Sequence, residues 1–250
     1  MIVEYNRPAT LEEALSLLQR KQPVSRPLAG GTSLNRPSSQ AIAAVDLQAL
    51  ALDSYERHGN FVDLGATLTL QNLLELVKAP GLQKAILHEG THNLRQVATV
   101  AGALIAANGR SPFATAMLAL DARLTLLPGE EQIALGDLLP LRAERLPGRL
   151  ITRVTIPVNA RLEYEYVARS PADLPIVCVA AAAWPSGRTR LALGGFGEAP
   201  ILAFDGTESQ GVEVAAESAY RAAGNEWASA QYRWETARVL ARRAVEAFTR

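Results

Sequence analysis

Gly30 and Gly31 stand side by side in Leu28-Ala29-Gly30-Gly31-Thr32-Ser33-Leu34-Asn35, between an apolar run, Val24 to Leu28, and Pro37-Ser38-Ser39. Two adjacent glycines let the backbone turn with positive φ and let a ligand approach the main chain closely. Successive N–H groups in such a turn form a concave anion site, to which Thr32 and Ser33 add hydroxyl donors. That chemistry suits a phosphate-bearing cofactor. For the two glycines alone, an ordinary Gly-Gly turn is the competing reading.

Other stretches carry chemistry of their own. His88-Glu89-Gly90-Thr91-His92 spells the zinc-hydrolase pattern, in which one helix presents two imidazoles on one face with a glutamate as general base. Gly90 and the β-branched Thr91 weaken such a helix in its middle, and His58 is the one remaining histidine. The alternative is a helix C-terminus, where partly charged imidazoles suit the dipole. Cys178, in Ile176-Val177-Cys178-Val179-Ala180, lies on an apolar strand with no cationic neighbour, as a buried structural thiol would. Gly194-Gly195-Phe196-Gly197 reads as a turn at a strand end. Thr99-Val100-Ala101-Gly102-Ala103 is an apolar run of small residues, which permits close approach by a ligand or by another strand.

The elements that must position these groups follow from pattern. Thr10-Leu11-Glu12-Glu13 is a capping box, and Leu11, Ala14, Leu15 and Leu18 recur at helical spacing behind it. Val24 to Leu28 and Ala43 to Leu47 read as strands on either side of the glycine loop. Further strands are expected at Phe61 to Ala66, Ala122 to Leu127 and Leu150 to Pro157. Helices are expected at Leu70 to Val77 behind Thr69, at Gly81 to Glu89 and at Phe113 to Leu120. A boundary falls near Val158 to Arg161. Beyond it come three strands, Glu163 to Arg169, Ile176 to Trp184 and Thr189 to Gly194, the last two joined at Pro185-Ser186-Gly187. Two helices follow: Val212 to Ala223, ended by Gly224, and Ser229 to Phe248. The fold class is α+β, in three parts: 1–55, 56–158 and 159–250.

Composition narrows the function classes. The chain has 250 residues, with Lys+Arg and Asp+Glu balanced at 25 each, which gives no global electrostatic reason to bind nucleic acid or an acidic membrane. No run approaches the roughly 18 apolar residues of a membrane span, and Met1-Ile2-Val3-Glu4-Tyr5 lacks the pattern of a signal peptide. The cytoplasm is the expected compartment. Cys178 is the only cysteine, so this chain alone builds neither an internal disulfide nor a cysteine-ligated iron–sulfur cluster.

Together these residues resemble the flavin-binding (medium) subunit of molybdenum hydroxylases, of the carbon monoxide and xanthine dehydrogenase type. Tyr5 to Leu18 resembles the family's opening strand and helix, and Leu28 to Leu34 its Ala-Gly-Gly-Thr/Gln-Ser/Asp-Leu loop. Asn93-Leu94-Arg95-Gln96-Val97-Ala98-Thr99-Val100-Ala101-Gly102 resembles the approach to a second flavin motif, Thr-Ile-Gly-Gly-Asn. Leu118 to Ala122, Leu150 to Pro157 and Trp227 to Ala244 fit later elements. The resemblance implies a two-subdomain α/β FAD-binding domain (PCMH-type) followed by a C-terminal domain of β-meander and helices. It implies FAD held by Leu28, Ala29, Gly30, Gly31, Thr32, Ser33, Leu34 and Asn35, and by Thr99, Ala101, Gly102, Ala103, Ser111 and Leu150. It also implies a molybdopterin-binding large subunit and a small subunit with [2Fe-2S] clusters, from which the flavin collects electrons for an external acceptor.

Two departures from the family pattern bear on that site. Ala101 and Ala103 replace a glycine and the final asparagine of the second motif. Arg110-Ser111-Pro112-Phe113 lacks an aspartate expected at the adenosine or ribose end. Each lost hydrogen bond is worth about 0.5–1.5 kcal/mol, so two weaken FAD about ten- to a hundredfold. The competing functions are a flavin-free structural or assembly subunit of the same kind of complex and, more remotely, a zinc hydrolase.

Overall fold

The computed structural model describes residues 1–34 and 40–249. Asn35 lies outside the described residues. The chain forms two compact units, and neither is continuous in sequence. The first comprises Met1–Leu73, His92–Ala106 and Arg123–Ile156; the second comprises Leu74–Thr91, Ala107–Ala122 and Pro157–Arg250.

The first unit opens with β1 (Ile2–Asn6), α1 (Leu11–Leu18), β2 (Val24–Leu28) and β3 (Ile42–Asp46). These strands make a parallel sheet in the order β1-β3-β2. The capping box forms: the Glu13 N–H donates to Thr10 Oγ1 at 3.2 Å, while the Glu13 carboxylate accepts from Ala9 N at 2.9 Å. One face of α1 is thereby delivered to the sheet, where Ala14 and Leu18 pack with Val45, Leu47 and Leu150. A second sheet contains β4 (Tyr55–His58), β5 (Phe61–Gly65), β6 (Arg123–Leu127), β7 (Glu131–Ala134) and β8 (Leu150–Pro157), in the order β4-β5-β8-β6-β7. α7 (Leu135–Arg145) follows β7 directly.

Between β5 and β6 run five helices: α2 (Leu70–Leu76), α3 (Pro80–Glu89), α4 (His92–Val97), α5 (Val100–Ala106) and α6 (Pro112–Ala119). Of these, α4 and α5 belong to the first unit, α3 and α6 to the second. As the sequence predicts, Thr69 caps α2, accepting from Asn72 N at 3.2 Å.

The second unit is built on an antiparallel meander of β9 (Arg161–Val167), β10 (Val177–Ala183), β11 (Thr189–Gly194) and β12 (Ile201–Gly206). α8 (Val212–Ala219) and α9 (Ala230–Glu246) pack on it. Side chains alternate across a strand, so Val177, Val179 and Ala181 meet α8 and α9, while Cys178 turns the other way to Thr115 of α6. A sheet covered on both faces accounts for the unbroken apolar run of β10.

Sequence and structure differ at particular elements. α8 stops at Ala219 with Tyr220 as its C-cap, short of the expected Ala223 and Gly224. β12 escapes pattern reading because it is an edge strand with exposed Ile201 and Leu202 and no apolar alternation. α7 is hidden by an internal proline, Pro140.

Candidate functional site

The glycine loop begins where β2 ends. Leu28 O accepts from Leu47 N at 2.9 Å, fixing the start of the loop to the segment after β3. Gly31 then takes φ +69°, the left-handed region that favours glycine. Gly30 is required for a different reason, namely close approach. A Cβ on it would stand 1.7 Å from Val97 O and 3.3 Å from Ala98 N. The loop therefore rests against the end of α4, within one compact unit.

Thr32 and Ser33 are exposed. Among the described residues, the main-chain N–H groups of Gly30, Gly31, Thr32 and Ser33 donate to nothing in the chain. Main-chain donors without a partner among the described residues, two adjacent hydroxyls and a left-handed turn are the ingredients of an anion-binding nest. These residues suit the phosphate-bearing part of a cofactor such as FAD in chemistry.

Across from it, residues 98–101 pair with residues 66–70. Leu70 N donates to Ala98 O at 2.8 Å, Val100 N to Leu68 O at 2.8 Å and Ala101 N to Ala66 O at 3.1 Å. Ala101 is buried, and its N–H is taken by this pairing. Thr99 is likewise turned inward: its Oγ1 accepts from Gly102 N at 3.3 Å and its carbonyl from Ala103 N at 2.8 Å. What the motif leaves at the surface is the main chain of Gly102 and the half-buried methyl of Ala103.

Leu28 to Leu34, Thr99, Ala101 to Ala103 and Leu150 all fall in the first unit; Ser111 falls in the second. Leu150 is 1% exposed, with its side chain in the core under α1. Ser111 is the N-cap of α6, accepting from Ala114 N at 3.1 Å and donating to Glu89 Oε2 at 2.8 Å. Its hydroxyl is fully engaged inside the protein.

Sequence reasoning assigned Glu89 only as the general base of the zinc pattern. Its Oε2 also accepts from Phe113 N at 2.8 Å, so one carboxylate oxygen joins the end of α3 to the start of α6. Both donors lie on residues that are almost fully buried. Burial pushes the carboxyl up to about 7, against the two hydrogen bonds that pull it down. Nothing in the spacing of residues 89 and 111 signals this contact.

The zinc pattern does not assemble. α3 ends at Glu89, Gly90 is extended at φ −176° and His92 opens α4, so the two imidazoles do not share a helix face. His88 Nε2 lies 2.8 Å from Asp173 O and Nδ1 2.9 Å from the Tyr164 hydroxyl. A carbonyl only accepts, so Nε2 carries the proton. Burial also pushes the His88 pKa down, which makes it a neutral linker rather than the partly charged helix terminator expected from sequence. Among the described residues no group of three or more His, Cys, Asp or Glu could hold a metal ion. Cys178 is fully buried and its thiol is pushed up to about 12, chiefly by that burial.

The second glycine cluster is explained by packing. Gly109 N donates to Gly197 O at 3.0 Å and Gly195 N to Gly109 O at 2.6 Å. A Cβ on Gly109 would stand 1.9 Å from Phe196 O.

Comparison with known proteins adds the following. A sequence profile described as the FAD binding domain in molybdopterin dehydrogenase matches residues 1–159. YgfM of Escherichia coli (strain K12), an uncharacterized protein, is 29% identical over 216 residues, covering 85% of this chain and 82% of its own. The glyceraldehyde dehydrogenase medium chain of Sulfolobus acidocaldarius is 27% identical over 220 residues, covering 80% of this chain and 78% of its own. Among solved structures, reconstituted CO dehydrogenase from Oligotropha carboxidovorans superposes with a TM-score of 0.80 at 24% identity, over 97% of this chain and 96% of the other. No helix among the described residues is long and apolar enough to cross a membrane.

Proposed function

We propose that this chain, which belongs to the family of FAD-binding domains of molybdopterin dehydrogenases, is the electron-transfer subunit of a molybdopterin-dependent hydroxylase or dehydrogenase complex. The family makes it a subunit of an oxidoreductase with FAD as its cofactor. In the proposed role it receives electrons from [2Fe-2S] clusters of a small partner subunit. Substrate is oxidised on a molybdopterin-bearing large subunit, and an external acceptor is reduced at this one. FAD, when bound, supplies the capacity to collect single electrons and release them to that acceptor.

The chain's own residues do the holding. The N–H groups of Gly30 to Ser33, which have no partner among the described residues, with Gly31 at φ +69°, are the observation that carries the proposal. They bind the pyrophosphate, assisted by the Thr32 and Ser33 hydroxyls. Gly30 lets that cradle sit directly on Val97. On the second motif only main chain and a methyl remain, so binding rests on the cradle more heavily than in a family member with the asparagine. No general acid or base is required of this subunit.

The test is purification without added flavin, an absorbance spectrum, and titration with FAD alone and with the partner subunits. A flavin spectrum with saturable binding is expected. Absence of binding even in the reconstituted complex sinks the reading. A second reading, a flavin-free assembly subunit, is favoured by the Ala103 methyl and by the engaged hydroxyl of Ser111. A stable complex that contains no flavin would establish it.

A further inference from the structure

Trp227 is 40% exposed, and the guanidinium carbons of Arg110 and Arg169 each lie 4.5 Å from its ring. All three residues belong to the second unit. They come from separate segments: Arg110 from the turn before α6, Arg169 from the connection between β9 and β10, and Trp227 from the turn before α9. We propose that this Arg–Trp–Arg patch is a docking surface for an acidic segment of a partner protein, whose carboxylates meet the two guanidinium groups while an apolar side chain covers the indole. Such a role stands whether or not the first unit holds flavin.

The patch is held in place before any partner arrives. Asn225 Oδ1 accepts from Trp227 N at 3.0 Å and from Arg233 Nη2 at 2.8 Å, and Asn225 N donates to Ala228 O at 3.1 Å. The turn that carries the indole is thereby pinned to the buried Arg233. Arg110 is fixed by its own bonds, from Nε to Pro175 O at 3.0 Å and from Nη2 to Leu174 O. Side chains already held lose little freedom on docking, and Trp and Arg are enriched among the residues that dominate binding at interfaces.

Charge selects the occupant. Arg169 forms no hydrogen bond or ion pair among the described residues, and the remaining Nη1 of Arg110 has no partner among them. Elsewhere in the same unit clustered arginines are matched: Arg188 and Arg190 share Asp121 and Asp205. A guanidinium stacked on an aromatic ring keeps in-plane N–H groups for an acceptor, and its fork suits a carboxylate. Two acids stand near the patch in sequence, Glu226 beside Trp227 and Asp173 on the Arg169 connection, where Asp173 accepts from Ser170 Oγ at 3.0 Å. Neither forms an ion pair among the described residues, and with Arg233 behind the turn the three arginines outnumber them.

The test uses the full chain and a fluorescently labelled Glu-rich peptide with a central Leu, compared with its Gln-for-Glu counterpart, inorganic phosphate and phosphatidylserine vesicles. Anisotropy is expected to show saturable binding of the acidic peptide at about 0.05 M salt and much weaker binding at about 0.5 M, where charges are screened. Arg169→Glu and Trp227→Ala are each expected to weaken binding about tenfold or more, and Glu226→Gln to strengthen it about twofold. Arg57→Glu, the same charge change at an exposed position of β4, is expected to leave it unaltered. Absence of saturable binding, equal binding of the Gln peptide, or equal losses in Arg57→Glu and Arg169→Glu overturns the proposal. Phosphate bound as tightly as the peptide, or vesicle binding lost in Arg169→Glu, also overturns it, by making the patch a site for a small anion or an anionic lipid surface. If Trp227→Ala does not fold, Arg169→Glu decides alone, because Arg169 is exposed and without a hydrogen-bond partner among the described residues.

Discussion

A Cβ on Gly30 would stand 1.7 Å from the carbonyl oxygen of Val97, less than half of an ordinary van der Waals separation. Both partners are main chain, so no side chain can rotate away. Gly30→Ala must displace the loop or the end of α4. Overpacking of this kind costs about 1–3 kcal/mol, and here the displaced atoms are the cradle itself. The expected outcome is a modest fall in Tm with FAD affinity lowered about tenfold or more, read by thermal melting and flavin titration. Wild-type FAD affinity in this variant would contradict the placement of the cradle.

Arg233 is 1% exposed and, among the described residues, forms no ion pair with a carboxylate. Its guanidinium donates instead to Ala223 O at 2.7 Å, Asn225 Oδ1 at 2.8 Å, Ala228 O at 3.0 Å and Ile176 O at 3.3 Å. Arg233→Ala strands these acceptors and opens a cavity. A loss of about 3–5 kcal/mol is expected by urea denaturation. Arg233→Lys is expected to recover only part of it, because an ammonium cannot span the fork.

Glu89 makes stability depend on pH in a defined window. In the unfolded chain its carboxyl titrates near its ordinary 4.5; in the folded chain it holds its proton until about 7. Between those values the native state binds more protons, so this contribution is fully present below 4.5 and lost as pH rises through about 7. The difference corresponds to about 3 kcal/mol. Urea denaturation across this range is expected to show the wild type losing stability relative to Glu89→Gln as pH rises. Parallel curves would show that the carboxyl is not the source.

Cys178 is fully buried with its thiol pushed up to about 12, and it should be inert in the folded protein. Labelling with a thiol-directed disulfide reagent near pH 8 is expected to be negligible under native conditions and complete in urea. Its rate in intermediate urea should follow opening of the second unit. Rapid native labelling would place the thiol elsewhere.

Much of the fold is legible where a local signal is strong. The Thr10–Glu13 capping box, the Thr69 cap and the Pro185-Ser186-Gly187 turn each specify their element from a few adjacent residues. The glycine loop is legible as a turn, but Gly30 and Gly31 are needed for different reasons, and only Gly31 has a conformational one. The requirement at Gly30 comes from Val97, far along the chain, which no local pattern can carry. The same holds for Glu89, whose partners lie beyond two intervening helices. Ser111 and Leu150 illustrate the converse. Family position marks them, yet the hydroxyl of one is engaged by Glu89 and the side chain of the other is packed beneath α1.

The interleaving of the two units has a consequence for biosynthesis. Residues 1–73 cannot complete their unit until 123–156 have been made, and residues 74–91 and 107–122 wait for 157–250. The first unit can therefore close only once residue 156 has been made, and the second only when nearly the whole polypeptide is finished. A chain interrupted at residue 156 would expose the apolar faces of α3 and α6 with nothing to cover them. Truncated products of this kind are natural clients for chaperones and proteases.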